Sequence, residues 1–402
     1  VVLTAPGPVA WVTGGVSAPV DRTAATDLIW AVVTRDTAAL ITTEVEAGRI
    51  RAEYGPDRHG FAELIAVPWY QPDAFIRAAE ELAGAPAASI AADGHPAFGI
   101  DAAADLTALR LTLSPPEQED LRALATAAAS AIEGALAAWR PGQRDLDIQA
   151  ECAARLEAAG ADAPVLIVGG DERVRRYRHP LACGEPVRRL AMAVVVARRG
   201  GLHAAATRFA TAGQPDEEFT ALRRRVLGIE RRVLDACVPG RAYGDVLAAL
   251  DAGYREAGAP GGWAGHYQGG PVGFAQREFE IAPGQADSPW YREQIRLGQA
   301  VAWNPSLAGG AKAEDTYLLT PAGPGDAAGP GDAAGPGDAA GPAEPRGPYA
   351  LERLTITSGW PAEPADLADP DDRRTPGEPG RGASGWPVPA VRQPRPAVLR
   401  IG

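Results

Sequence analysis

Leu190-Ala-Met-Ala-Val-Val-Val-Ala-Arg-Arg-Gly-Gly-Leu-His-Ala-Ala-Ala-Thr-Arg-Phe209 decides how this chain is read. An apolar, β-branched run reaches Ala197, Gly200-Gly201 supplies a turn, and a second run of small residues ends at Thr207-Arg208. This pattern predicts two strands joined by a tight turn. No carboxylate lies between Leu190 and Phe209. An unpaired charge on an apolar strand is costly to bury, so Val194 suits its setting.

On either side of this stretch the sequence repeats. Pro141-Gly142 is followed eighteen residues later by Gly160, through a helix ending Leu156-Glu-Ala-Ala-Gly-Ala161. Pro239-Gly240 is followed eighteen residues later by Gly258, through a helix ending Tyr254-Arg-Glu-Ala-Gly-Ala259. A further helix precedes each Pro-Gly, over residues 117–139 and 216–237. The first copy leads to strand Pro164–Val168 and then to Val194–Phe209. The second leads to Gly265-His266 and then to Ala300–Asn304. Two copies of a helix–PG–helix–AGA–strand unit predict an α/β domain with an internal pseudo-twofold.

Residues 1–112 read as a separate, smaller α/β domain. Val9–Gly15, Leu28–Thr34, Ala38–Thr43 and Ala87–Asp93 are strand-like, and helices are expected over Glu44–Arg51 and Pro72–Leu82. Ser114-Pro-Pro-Glu-Gln-Glu-Asp120 marks the boundary, with Ser114 as N-cap and acids in the first turn. The second domain spans 113–402 and contains a low-complexity loop at 323–348, where Gly-Pro-Gly-Asp-Ala-Ala occurs three times. A surface insertion is the plainer reading of that loop, a flexible lid the alternative. Pro364–Gly385 is a second soft stretch. Tyr349–Thr357 is expected to return as a strand and Ala390–Ile401 to form an edge segment, where prolines are tolerated.

The strand pair and the repeat resemble the creatinase/prolidase/methionine-aminopeptidase family, peptidase family M24, whose fold is known as pita-bread. The resemblance covers nearly the whole chain and implies an α/β (α+β) architecture of a small creatinase-like domain followed by the pita-bread domain. Active members place five metal ligands on the sheet: Asp, Asp, His, Glu and Glu. The two aspartates, eleven residues apart in the family, fall here on Val194 and Ala205. The third position is His266 in Gly265-His-Tyr-Gln-Gly-Gly270, and the fourth is Asn304 in Trp303-Asn-Pro305. The fifth is Glu314 in Glu314-Asp-Thr316. One remaining Glu cannot neutralise two dications, so no metal and no other cofactor is expected.

The resemblance also implies a substrate-side histidine, which fits His179 in Arg178-His-Pro180. An imidazole titrates near neutrality and suits acid–base work. Arg173, Arg175, Arg176 and Arg178 surround it in sequence, favour the neutral ring and would suit a carboxylate-bearing substrate. Expected roles follow: His179 as acid/base, His266 and Glu314 in the catalytic group, and Arg176, Arg178, Arg208, Asn304 and Glu278 on the substrate side. Gln276-Arg-Glu-Phe-Glu280 has two readings. Glu278 or Glu280 could replace a missing carboxylate, or the run is an alternating strand with Phe279 inward and its charges solvated. His59, His95 and His203 lack partner patterns and read as surface or loop residues. Cys183 reads as a free thiol.

Composition narrows the partners. At 402 residues and 46% hydrophobic content the chain can build two cores, and its net charge of −12 argues against nucleic acid and anionic membranes. Cys152, Cys183 and Cys237 form no CxxC pair, which fits a reduced, cytoplasmic protein. No run is expected to reach membrane-spanning length. A homodimer is implied by the resemblance alone. Three functions remain open. The first is a metal-independent, creatinase-like hydrolase cleaving a C–N bond in a small-molecule or short peptide substrate. The second is a catalytically inactive member acting as a binding protein, and the third an Xaa-Pro aminopeptidase with an atypical metal site.

Overall fold

In the computed structural model, which describes residues 1–16, 20–322, 349–357, 359–361, 380–381, 387–388, 390–391 and 395–401, the chain divides into two units. The smaller comprises Val1–Leu111 with the turn Arg199–Leu202, and the larger the rest. The low-complexity loop at 323–348 and most of Pro364–Gly385 lie outside the described residues.

The smaller unit has β1 (Val2–Leu3), α1 (Pro6–Val12), β2 (Trp30–Val33), β3 (Ala38–Thr43), α2 (Glu44–Glu53), β4 (Glu63–Val67), α3 (Ala74–Ala83), β5 (Ala91–Ala92), β6 (Ile100–Asp101) and α4 (Ala103–Arg110). Its sheet runs β4-β3-β2-β1-β5-β6. Alternation puts successive side chains on opposite faces. Leu40 packs with Val9, Ile50 and Leu106 on one side, and Ile41 with Ala78 and Phe98 on the other. The expected strand Val9–Gly15 is instead the end of α1. Pro6 at its first turn fixes a helical φ, and Thr13 Oγ1 donates to the Val9 carbonyl at 2.7 Å. Val9 and Ala10 are both fully buried, which a one-sided strand would not allow.

The larger unit opens with α5 (Pro115–Ala138), started by a capping box in which the Ser114 amide donates to Glu117 Oε2 at 2.6 Å. It continues with α6 (Asp145–Ala158), β7 (Asp162–Gly170), α7 (Asp171–Arg176), β8 (Leu190–Arg199), β9 (Leu202–Ala212), α8 (Glu217–Ala236), α9 (Tyr243–Glu256), β10 (Gly269–Val272), β11 (Ala300–Trp303), β12 (Tyr317–Pro321), β13 (Tyr349–Arg353), β14 (Gly380–Arg381), β15 (Pro387–Val388), β16 (Ala390–Val391) and β17 (Leu399–Ile401). By length and composition α5 could span a membrane, contrary to the sequence expectation, but over half of that window is buried within the fold. It is a core helix packed on α6, as α8 is on α9. Two sheets, β17-β9-β8-β7 and β10-β11-β12-β13-β16, carry the two halves of the repeat. The C-terminal segment supplies an edge strand to each.

Hydrogen bonds show the duplication residue by residue. The Gly142 amide donates to the Val187 carbonyl at 2.7 Å and the Gly240 amide to Ile295 at 2.8 Å. The Asp145 amide donates to Glu185 and the Tyr243 amide to Glu293. Gly160 and Gly258 end α6 and α9 at φ +69° and +70°. The next amides, Ala161 and Ala259, close back onto Leu156 and Tyr254. A left-handed glycine with this closure is how a helix satisfies its last carbonyls and turns into a strand.

Candidate functional site

The second half of the repeat ends α9 at a short helical turn, Gly262–Gly265, rather than the expected strand, and this turn delivers His266. Gln268, buried behind it, donates to the carbonyls of His266 and Trp263 and accepts from the Tyr254 hydroxyl. The same hydroxyl accepts from the Ser306 amide. Ser306 and Lys312 form an antiparallel bridge, so the hairpin Leu307–Ala311 ends with Lys312 beside His266. Lys312 Nζ is 3.0 Å from His266 Nε2 and 3.4 Å from the Arg178 carbonyl.

His179 reaches the same atom from the other half. Its loop follows α7 and is tied at both ends by carboxylates. Asp145, fully buried, accepts from the Cys183 and Gly184 amides and pairs with Arg173 at 2.8 Å. Asp171, at φ +50°, accepts from the amides of Arg188, Arg189 and Leu190. Pro180 seats against Gly169. The loop so held places His179 Nε2 at 3.2 Å from His266 Nε2, with the ring centroids 4.9 Å apart.

Electrostatics around this cluster are cationic. Burial pushes His266 down to about 3, helped by Lys312, and Lys312 down to about 8. Burial and Lys312 also lower His179, and burial lowers Arg178. Both imidazoles are therefore neutral at pH 7. Among the described residues the Arg178 guanidinium has no hydrogen-bonding or ion-pairing partner. Glu314 is the one carboxylate acting on Lys312, and it is engaged: Oε1 accepts from Arg277 at 3.0 Å and Oε2 from Thr207 Oγ1 at 3.2 Å. Among the described residues, three buried polar atoms of this network have no hydrogen-bond partner: His266 Nδ1, Asn304 Oδ1 and Ser306 Oγ.

The residues present do not fit a pair of divalent metals. Val194 and Ala205 are buried and offer no lone pair. Arg277 occupies the carboxylate of Glu314, and the Lys312 ammonium sits against the ring nitrogen of His266. No group of three or more His, Cys, Asp or Glu stands together as a ligand set among the described residues.

Of the expected site residues, His179, His266 and Arg178 come together around Lys312, and Glu314 acts on Lys312 electrostatically. Asn304 is placed beside Gln268 by its backbone N–H, which donates to the Gln268 carbonyl at 2.8 Å. Arg208 does not join them. It is buried, with its guanidinium committed to Glu133, Asp315 and the carbonyls of Thr207 and Thr355, so no donor face is presented to a substrate. Arg176 is exposed and leans on Tyr177. Arg173 and Arg175 are paired with Asp145 and Asp216.

Glu278 is buried and accepts from the Ala275 amide, capping a bend. Gln276–Glu280 is not a strand, and its Arg277 is not solvated. Phe279 does point inward, stacked on Trp290. His203 is on β9 and buried, with its Nδ1 3.3 Å from the Gly273 carbonyl, so it is neither a surface nor a loop residue; His95 does lie in a loop, packed edge-on against Trp30. Sequence reasoning missed Arg277 and Lys312. For Lys312 a signal existed, since it is the only lysine in the chain.

The family model that describes metallopeptidase family M24 matches residues 119–321. Among solved structures, the prolidase from Pyrococcus furiosus superposes with a TM-score of 0.62 at 18% identity, over 89% of this chain and 96% of that one. The Xaa-Pro dipeptidase from Bacillus anthracis gives 0.62 at 18%, over 79% and 89%. The N-terminal domain of the FACT complex subunit SPT16 from Cicer arietinum gives 0.56 at 12%, over 79% and 88%. At such identities these likenesses show the pita-bread fold alone. No curated protein matches the sequence.

Proposed function

The chain belongs to metallopeptidase family M24, a family of peptidase-type hydrolases, and from that premise we propose that it cleaves a C–N bond in a small carboxylate-bearing or peptide-like substrate without using metal. One observation carries the reading: His266 Nε2 stands between His179 and Lys312, while the surviving family carboxylate, Glu314, is held by Arg277. Positive charge that a metal would supply is supplied by side chains.

In this reading Arg178, partly buried and unpaired, takes the substrate carboxylate as a charge-assisted hydrogen bond. His179, kept neutral by burial and by Lys312, accepts a proton from the attacking water and returns it to the leaving nitrogen. His266 stays uncharged and orients, and Glu314 fixes Arg277. With an amide substrate, water attack at the carbonyl carbon followed by C–N cleavage yields a carboxylic acid and an amine; with a creatine-like substrate, attack at the guanidinium carbon yields a urea and an amine.

The test is turnover of N-acyl amino acids, Xaa-Pro dipeptides and creatine-like compounds by protein treated with a chelator and verified metal-free, alongside His179→Ala. Metal-free turnover that His179→Ala abolishes is the expected result. Activity that appears only with two equivalents of Mn, Co or Zn would overturn it. A binding-protein reading has one observation in its favour, the likeness to a domain named as a subunit of a complex. Absence of turnover together with a ligand-induced rise in Tm would select it.

A further inference from the structure

Lys312 is the only lysine among 402 residues; every other side chain counted with it is arginine. It is 3% exposed, and its place is built rather than incidental. The bridge to Ser306 fixes its backbone, and Gly310 lets the hairpin come against Val174 of α7, the helix that leads to Arg178 and His179. Arginine could not substitute in kind. Its guanidinium is a planar fork, whereas an ammonium is compact and offers three donors in a tetrahedral arrangement.

Those donors can be counted. One N–H points to His266 Nε2 at 3.0 Å and one to the Arg178 carbonyl at 3.4 Å. The third has no acceptor among the described residues. Accepting from Lys312 also puts the His266 proton on Nδ1, so His266 holds the ammonium without competing for its charge. His179 Nε2 lies 3.2 Å from the same His266 nitrogen; since that lone pair already accepts from Lys312, His179 meets it through Nε2–H and keeps its own basic lone pair on Nδ1, close to the ammonium.

Resting on the hydrolase reading above, we propose that Lys312 is a catalytic residue: its free N–H binds the carbonyl oxygen of the scissile group and stabilises the oxyanion, a task a Lewis-acidic metal ion can otherwise perform. Water oxygen forms a bond to the carbonyl carbon as the C=O π pair moves onto oxygen, and His179 takes the water proton. The oxyanion, held by Lys312, collapses; the C–N bond breaks and the nitrogen leaves with the proton from His179. Oxyanion donors fixed in advance act only when charge develops, which is why they favour the transition state over the ground state.

Two probes separate the claims. N-acetylglycine represents the ground state, and its analogue with a phosphinate and a methylene in place of the amide represents the tetrahedral oxyanion. Calorimetric titration of the wild-type protein is expected to show the phosphinate binding tighter by on the order of 10²-fold. Lys312→Met should keep N-acetylglycine affinity within a few-fold and lose most of that preference, by about 10²-fold. Arg178→Met should weaken both probes alike. Circular dichroism and Tm establish that each variant is folded, with Lys312→Gln as a second test should the Met variant aggregate. An undiminished phosphinate preference in folded Lys312 variants would overturn the role of Lys312 while leaving the hydrolase reading standing. Wild-type protein binding neither probe would overturn both.

Discussion

Lys312 Nζ and His266 Nε2 are 3.0 Å apart, a buried cation hydrogen-bonded to a neutral imidazole instead of to a carboxylate. An ammonium with no carboxylate in contact, in a desolvated place, destabilises the fold that contains it. Lys312 is accordingly held at about 8, below its ordinary 10.5. The folded-state value lies under the unfolded one, so between pH 8 and 10.5 the unfolded chain binds more protons and stability rises with pH. At pH 7 the penalty is fully present, roughly 3 kcal/mol at about 1.4 kcal/mol per pH unit. Lys312→Met should therefore be more stable than wild type at pH 7, by up to that amount, and the gap should close by pH 10.5. Denaturant unfolding of both proteins across this range measures it; a Met variant less stable at pH 7 would contradict the account.

Activity should have two limbs set by the same cluster. His179 lies below its ordinary 6.5 through burial and Lys312, so the base is competent somewhat below neutrality. Above about pH 8 Lys312 loses its proton and the oxyanion donor weakens. The kcat/KM profile, which reports the free enzyme, is expected to rise on the acid side below pH 6.5 and to fall above pH 8. Lys312→Arg should remove the alkaline limb, because a guanidinium keeps its proton, while lowering the plateau through its different shape. His179→Ala should lower the plateau by about 10²–10⁴-fold. An alkaline limb that persists unchanged in the Arg variant would assign it to another group.

Arg178 and Arg208 should separate binding from stability. Arg208 joins Glu133 on α5 to Asp315 through two ion pairs of 2.9 Å inside the core. Removing one partner of a buried ionic network leaves charge uncompensated, so Arg208→Met should cost about 3–5 kcal/mol. Arg178 has no such partner among the described residues, so Arg178→Met should leave stability nearly unchanged and raise KM for carboxylate substrates. Denaturation and steady-state kinetics on the two variants give the comparison; equal loss of stability in both would refute the assignment.

The fold was legible because its signals are local. Glycines 142, 160, 240 and 258 mark the turns of both repeats, and the run around Gly200-Gly201 marks the paired strands. The site was legible only where a residue sits at a family position, as His266 and Glu314 do. Arg208 sits at one too, yet its contacts with Glu133 and Thr355 come from distant parts of the chain and turn it inward. Arg277 and Lys312 escaped because pairing across a hairpin and a bend leaves no periodicity to read. Val9 was misread because β-branched residues buried on every side satisfy strand and helix patterns equally well, and Pro6 was the better guide.

Gly310 tests whether the hairpin holds Lys312 in place. It stands at φ +101°, and a Cβ there would come within 2.8 Å of the Val174 carbonyl oxygen and 3.0 Å of its carbonyl carbon. Both atoms are backbone of α7 and cannot step aside. Gly309 has a similar φ of +98°, but its Cβ would meet the tip of Leu222, a side chain that can move. Gly309→Ala and Gly310→Ala therefore share the left-handed strain and differ in the clash. Both should destabilise, by roughly 1–3 kcal/mol. Only Gly310→Ala should also push the hairpin off α7, separating Lys312 from Arg178 and His266. The expected signature is a Gly310→Ala protein that stays folded and loses its phosphinate preference while Gly309→Ala retains it. Equal probe binding by the two variants would mean that this glycine does not set the position of Lys312.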